Sequence, residues 1–402
     1  MSKKIQILRN KFKKYNIDGY IVPKNDDYFT EYSKINRLKI ISNFSGSAGL
    51  AVILKKKNYL FTDGRYTIQS KIESGNNFKI IDYNKIINCK LFKNLTLGID
   101  PKLFTYTQIK RFFLKKNKIK FISNNLIDEI ERKKKETIYP FFSLNKDITG
   151  ESHKSKINKI SKFLKKNKTD YLFVSAPENV AWILNIRGKD VPNSPIPNSR
   201  LIISKNKKIY LISKLKKAKK LIKEKIIKSH ELIDTNNFPG KILNLRGNNF
   251  IIDDKSCSIY FENIIKSKFE IIKRVDPTYF LKAIKNKIEI KNMINSHILD
   301  GAALTKFLYW IKKVNKKQIS EVQAQNKLES YRKLNKNYLY PSFDTIAGSG
   351  KNAAIIHYRA KKENCKMIKK KDIFLCDSGG QYKYGTTDVT RTICFSKPSS
   401  HI

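Results

Sequence analysis

Residues 374–395 read F-L-C-D-S-G-G-Q-Y-K-Y-G-T-T-D-V-T-R-T-I-C-F. Apolar and β-branched segments, Phe374–Asp377 and Thr386–Phe395, flank a region carrying Gly379, Gly380 and Gly385, which is the pattern of a β-hairpin. Pairing about the Tyr382/Lys383 midpoint sets Asp377 and Asp388 opposite one another. Two carboxylates held that close repel, and the usual resolutions are a shared proton or a divalent cation. Hard oxygen donors favour Mn, Mg, Ca or Zn over Cu(I). A metal site is the first hypothesis, and two solvated turn-flanking aspartates the alternative.

Around this hairpin lies a chain of 402 residues, enough for two or three domains with their own cores. Hydrophobic residues make up 40%, with 20 Tyr and 23 Phe, so a folded globular protein is expected and disorder is not. The net charge of +49 raises a nucleic-acid or anionic-membrane partner. Its distribution argues against both, because the lysines are interleaved with Ile and Asn everywhere, in runs such as Lys55–Lys57, Lys133–Lys135 and Lys369–Lys371. No helix-turn-helix, zinc-finger or RNP-like pattern accompanies the charge, which disfavours nucleic acid. The five cysteines, Cys89, Cys257, Cys365, Cys376 and Cys394, include no C-x-x-C pair and read as reduced thiols of a cytoplasmic protein. Cys376 and Cys394 both fall on the hairpin, where buried free thiols are expected rather than a disulfide. No signal-peptide core and no run of 18 apolar residues is present.

In chain order, residues 3–14 have Ile5, Leu8 and Phe12 at helical spacing, and Ile17–Val22 reads as a buried strand. Leu50–Leu54 and Tyr59–Thr62 pair as strands, after which Asp63-Gly64-Arg65 opens a helix. Arg65 reads either as half of a surface salt bridge or as a cation reaching an anionic group across a domain boundary. The charged stretch 129–136 reads as a linker. A second α/β unit follows, with a helix after Ser152 and a strand at Tyr171–Val174. It repeats the opening: N-I-D-G-Y at 16–20 resembles K-T-D-Y-L at 168–172, as a duplicated domain would. Beyond Asp276-Pro277 the pattern is helical over Ile288–Val314, and Ser320-Glu321-Val322-Gln323 has the form of a capping box. Strands are expected at Phe343–Ala347 and Ala353–Tyr358, placing His357 at a strand end beside the aspartate pair. His153, His230, His297 and His401 lack such neighbours and receive no role.

The residues resemble a known family. S-F-D-T-I-A-G-S-G-K-N-A-A-I-I-H-Y at 342–358 and D-S-G-G-Q-Y-K-Y-G-T-T-D-V-T-R-T at 377–392 are similar to the long, three-domain Xaa-Pro aminopeptidase (aminopeptidase P) of the creatinase/prolidase-like metallopeptidases. G-S-A-G at 46–49, T-D-G-R-Y at 62–66, N-V-A-W-I-L-N-I-R-G-K-D-V-P at 179–192 and V-D-P at 275–277 extend the resemblance along the chain in the family's order. It implies an α/β and α+β multidomain protein: two creatinase-N-like α/β domains, 1–136 and 137–275, then the N-terminal part of a pita-bread catalytic domain, 276–402. It also implies two Mn²⁺ ions per complete site, with Asp377 binding one metal and Asp388 bridging both. The two cations would activate water for attack on the scissile carbonyl. His357 and Arg65 match the family's substrate-contacting residues. The implied partners are peptides with proline at the second position and, in the complete protein, a second copy in a homodimer.

The departure is at the end. In this family the two aspartates are followed by a histidine ligand in an H-G-x-G-H-type segment and by two glutamates. Here Ile402 stands 14 residues after Asp388, no glutamate intervenes, and His401 is too close to the hairpin to match the missing ligand. The expectation is therefore a truncated Xaa-Pro aminopeptidase with no complete catalytic set, inactive alone, because each metal ion needs several ligands. A non-catalytic, peptide-binding derivative of the same family is the alternative, and a basic nucleic-acid binder a more distant one.

Overall fold

The segment G-Y-I-V-P, Gly19–Pro23, is buried along its whole length, as a strand covered on both faces must be. In the computed structural model, which describes residues 2–30, 32, 35–87, 91–114, 116–131, 137–314 and 319–400, it is the centre of a six-stranded sheet. The strands are β1 (Gly19–Pro23), β2 (Leu50–Leu54), β3 (Asn58–Thr62), β4 (Lys79–Asp82), β5 (Thr96–Ile99) and β6 (Lys118–Phe121), in the order β4-β3-β2-β1-β5-β6. Only β2 runs antiparallel to its neighbours. Two apolar clusters, one around Tyr20, Ile53 and Leu60 and one around Ile21, Val52 and Phe61, cover its two faces.

Further along, β7 (Phe142–Ser143) pairs with β9 (Ile186–Arg187). A second six-stranded sheet is made by β8 (Tyr171–Val174), β10 (Arg200–Ser204), β11 (Ile209–Ile212), β12 (Leu232–Ile233), β13 (Asn249–Ile252) and β14 (Glu270–Lys273). Its order, β12-β11-β10-β8-β13-β14, and the sense of every pair reproduce the first sheet. The similarity reaches single atoms. Asp18 and Asp170 each precede the central strand; each accepts a backbone hydrogen bond at the neighbouring parallel strand, from Thr96 N at 2.9 Å and from Asn248 N at 2.7 Å. Each is also paired with the lysine that follows the antiparallel strand, Lys55 and Lys205, both at 2.6 Å. Two residues upstream, Asn16 and Lys168 both have left-handed φ, 47° and 52°. The duplication expected from the 16–20 and 168–172 motifs is thus a duplicated fold.

The chain divides into two compact units, one of Met1–Leu144, Glu151–Pro192 and Ile196–Ile284, the other of Asn145–Gly150, Asn193–Pro195 and Lys285–Ile402. The second unit packs helices Lys287–Lys313 and Glu321–Lys333 on a three-stranded sheet of β16 (Ile346–Ser349), β17 (Ile373–Ser378) and β19 (Val389–Cys394), order β16-β17-β19, with Leu304, Phe307, Leu328, Phe374, Cys376 and Ile393 in its core. A smaller ribbon pairs β15 (Tyr338–Pro341) with β18 (Gly380–Tyr382). The Ser320 capping box is present: the hydroxyl accepts from Gln323 N, and the Gln323 side chain accepts from Ser320 N. Residues 132–136 of the expected linker, Cys89 and His401 lie outside the described residues.

Two expectations are corrected. The hairpin forms, but its centre is Lys383/Tyr384, one position beyond the Tyr382/Lys383 midpoint. Tyr382 N bonds Gly385 O at 2.8 Å and Thr387 N bonds Gly380 O at 2.9 Å, so Asp377 faces Thr390 rather than Asp388. The cause is the role of the glycines. Gly379 and Gly380 are close-approach positions: a Cβ on Gly379 would lie 2.0 Å from Thr387 O, and one on Gly380 would lie 2.8 Å from the Tyr382 ring. The second correction concerns Ala353–Tyr358, which is not a strand. Gly350–Ala354 is a 3₁₀ turn, and His357 follows in a turn with φ 56°. The segment's own amides close turns instead, Ile355 N to Asn352 O at 3.2 Å and Tyr358 N to Ile355 O at 3.1 Å. Among the described cysteines all are free. Cys376 and Cys394 face Arg391 and Ile373 across the β17/β19 pair, so they project from opposite sides of the sheet.

Candidate metal centre

Strand β17 alternates sharply, with Phe374, Cys376 and Ser378 buried and Ile373, Leu375 and Asp377 half-buried. The first set faces the helices. The second faces the open side of the sheet, together with Thr390 and Thr392, the cross-strand partners of Asp377 and Leu375. In the observed register Asp388 falls two positions before Thr390. Continued one residue beyond β19, that register places it diagonal to Asp377 on the same open face, near enough for the charge of Asp377 to act on it.

The electrostatics of the pair are unfavourable to two bare carboxylates. Asp377 Oδ1 is buried and has no hydrogen-bond partner among the described residues, an arrangement that carries the full desolvation cost of the group. Asp388 is exposed, yet desolvation and then the charge of Asp377 push its carboxyl above the usual carboxylate range. An oxygen-seeking divalent cation relieves both terms. These two side chains therefore fit a metal as two of its ligands. Among the described residues no group of three or more His, Cys, Asp or Glu side chains gathers around one point.

The strand carrying Asp377 is fixed from beneath. Arg332, fully buried, donates from Nε to Asp300 Oδ1 at 2.7 Å and from Nη2 to Asp300 Oδ2 at 3.1 Å and to Ser378 Oγ at 3.1 Å. Burial works against the guanidinium's charge, and the hydrogen bond and charge of Asp300 outweigh it, so its pKa is raised. Tyr382 OH completes the cluster by donating to Asp300 Oδ1 at 2.8 Å. On the Asp388 side, Ser342 Oγ donates to Thr387 O at 2.8 Å and Gly380 N donates to Thr387 Oγ1 at 2.9 Å. Sequence reasoning passed over Arg332 and Asp300. The signal was available: Arg332 continues the Ala324/Leu328 stripe and Asp300 falls among Ser296, Ala303, Leu304 and Phe307, so opposite charges sit on two apolar helix faces.

The other two expected site residues are placed as follows. His357 lies in the same unit, exposed on its left-handed turn. Arg65 belongs to the first unit, on the 3₁₀ turn Gly64–Tyr66 capped by Asp63. Its guanidinium pairs with that same Asp63, Nε to Oδ1 at 3.0 Å and Nη2 to Oδ2 at 2.7 Å, and lies 5.2 Å from the Tyr66 ring centre. Asp377 and Asp388 are the two that the fold brings together.

Comparison with known proteins agrees with this layout. Residues 4–130 and 131–289 each match a creatinase/prolidase N-terminal domain, and residues 291–402 match metallopeptidase family M24. A probable Xaa-Pro aminopeptidase P of Laccaria bicolor is 33% identical over 415 residues, 98% of this chain and 64% of its own length. The Xaa-Pro aminopeptidase ApepP of Drosophila melanogaster is 34% identical over 409 residues, 95% of this chain and 66% of its own length. A probable Xaa-Pro aminopeptidase P of Paracoccidioides brasiliensis is 34% identical over 436 residues, 99% of this chain and 70% of its own length. The chain thus spans about two thirds of the length of these relatives. Among solved structures, the X-prolyl aminopeptidase of Caenorhabditis elegans, described as a cytosolic enzyme with a di-nuclear active site, superimposes with a TM-score of 0.90 at 25% identity, covering 100% of this chain and 71% of that one. The two duplicated sheets are creatinase-like domains and the second unit carries the pita-bread metallopeptidase portion, so the chain belongs to the Xaa-Pro aminopeptidase P family of M24 metallopeptidases.

Proposed function

We propose that this chain provides the two creatinase-like domains and the first metal-binding hairpin of an aminopeptidase that hydrolyses the bond between an N-terminal residue and proline. The observation that carries this reading is the buried, unpartnered Asp377 Oδ1 beside Asp388, whose carboxyl is held above its ordinary range. Asp377 would hold one divalent cation and Asp388 would lie between two, with manganese as the metal. When bound, such cations lower the pKa of water and stabilise negative charge developing on a carbonyl oxygen. The chain's own contribution is positional. The β17/β19 register sets the two carboxylates on one face, Arg332 and Thr387 fix their strands, and His357 and Arg65 are assigned to contact the peptide.

Domain limits of 1–136, 137–275 and 276–402, a cytosolic location and a homodimeric complete protein belong to the same proposal. No described helix is long and apolar enough to cross a membrane. Two carboxylates do not complete the coordination of two metals, so we expect residues 1–402 to bind a divalent cation weakly and not to turn over peptide. A peptide-binding, non-catalytic role is the second reading, favoured by the same two-ligand count among the described residues. Incubating the chain with Mn²⁺ and Ala-Pro-Ala separates these outcomes. Release of alanine overturns the expected inactivity. Retention of the tripeptide without cleavage supports the binding role, whereas an outcome with no binding and no cleavage agrees with the expected inactivity and counts against the binding role and against the peptide-contacting assignment of His357 and Arg65.

A further inference from the structure

We propose that Glu321 is a positioning residue that sets the turn presenting His357, a role that rests on the peptide-contacting assignment of His357 made above. Glu321 is the first residue of the helix Glu321–Lys333, and it is fully buried. Its Oε1 accepts from Ser349 N at 2.7 Å and from Asn352 Nδ2 at 3.0 Å. Its Oε2 accepts from Tyr358 OH at 2.8 Å, from Lys366 N at 3.0 Å and from Asn352 Nδ2 at 3.1 Å. All of these donors are neutral. A carboxylate withdrawn from water is tolerated only when donors surround its charged form, and its place at a helix N-terminus adds to that stabilisation.

The partners show what the carboxylate organises. Ser349 and Lys366 are the two ends of a segment with little regular structure, and Asn352 and Tyr358 lie within it. Asn352 Nδ2 also donates to Tyr358 OH at 2.9 Å, so the three side chains form one closed network. His357 is the residue next to Tyr358, and its φ of 56° is one that a non-glycine side chain holds only when its surroundings impose it. The apolar run A-A-I-I at 353–356 would otherwise favour an extended strand. On this account the Glu321 carboxylate holds that run in a turn on which His357 stands exposed.

The test uses the 402-residue chain with Glu321→Gln, which keeps the shape and removes the charge, Glu321→Asp, which keeps the charge, and Tyr358→Phe, a milder change that deletes one donor. In Glu321→Gln the amides of Ser349 and Lys366 should exchange with solvent about ten- to a hundred-fold faster. The His357 imidazole NMR signal, assigned with His357→Asn, should move, while that of His297 on the preceding helix stays put. Glu321→Asp should restore part of the protection. Binding of Ala-Pro-Ala should weaken by similar factors in Glu321→Gln and His357→Asn, and no further in the double variant. Unchanged exchange and an unchanged His357 signal in Glu321→Gln would overturn the proposal, as would full additivity in the double variant. Absence of tripeptide binding by the unsubstituted chain would count against the peptide-contacting assignment instead, and the exchange and NMR results would then decide Glu321's structural part alone.

Discussion

Replacing Arg332 with methionine should destabilise the second unit selectively. Arg332 makes two hydrogen bonds to Asp300 and one to Ser378, and the pair is 1% and 3% exposed. The substitution leaves the Asp300 carboxylate buried with the Tyr382 hydroxyl as its remaining named donor. Breaking such a pair from one side costs about 3–5 kcal/mol, because an uncompensated charge stays in the interior. Removing both charges, with Arg332→Met and Asp300→Leu together, should recover most of this cost, less about 1–3 kcal/mol for the stranded Tyr382 hydroxyl. The chain's two tryptophans make the measurement specific, since Trp182 lies in the first unit and Trp310 packs against the core of the second. With Trp182→Phe as background, urea unfolding followed by Trp310 fluorescence reports the second unit. At a slope of about 1–3 kcal/mol per molar, the midpoint should fall by at least about 1 M, while Trp182 in the complementary Trp310→Phe background shows no shift. A loss below about 1 kcal/mol, or a double variant less stable than Arg332→Met alone, would refute the reasoning that this pair anchors β17.

Three other outcomes follow from the same structure. Gly379→Ala would place a Cβ 2.0 Å from Thr387 O and 2.3 Å from Ser342 Oγ; displacing that strand should cost about 1–3 kcal/mol in the Trp310 transition, and an effect within experimental error would contradict the close-approach reading. Burial pushes the Cys376 thiol up to about 12, whereas Cys394 is exposed. A disulfide reagent at pH 8 should therefore label Cys394 and spare Cys376 in the folded protein, as peptide mapping would show; labelling of Cys376 before unfolding would contradict it. Burial also raises the pKa of Asp276, which accepts from Asn179 Nδ2 at 2.8 Å and Thr278 N at 2.8 Å. The folded state therefore holds this proton to higher pH than the unfolded chain. The resulting stability is complete below the unfolded pKa of about 4 and is lost as pH rises through the folded value. Asp276→Asn should flatten that decline in the Trp182 transition as pH rises above about 4, and parallel profiles would count against it.

Much of this architecture was legible in local patterns. The Leu50–Leu54 and Tyr171–Val174 strands and the Ser320 capping box each depend on interactions within a few residues, which sequence spacing encodes directly. The duplication was visible because Asp18 and Asp170 do the same job in both sheets. What stayed hidden depended on partners distant in sequence. Gly379-Gly380 looks like a turn until Thr387 is known to press against it. Likewise A-A-I-I-H-Y at 353–358 has strand composition, and the carboxylate that overrides it stands more than thirty residues upstream at Glu321. The candidate site was legible as a pair of residue types, Asp377 and Asp388. Its diagonal geometry was not, because moving the turn centre by one position shifts the register by two.

Calorimetric titration of Mn²⁺ into the 402-residue chain, beside Asp377→Asn and Asp388→Asn, tests the metal-centre reading most directly. We expect weak but saturable binding that is lost in Asp377→Asn and reduced in Asp388→Asn, with the fold of all three retained by circular dichroism. Binding of equal strength in all three, or none to the unsubstituted chain at millimolar Mn²⁺, would contradict it.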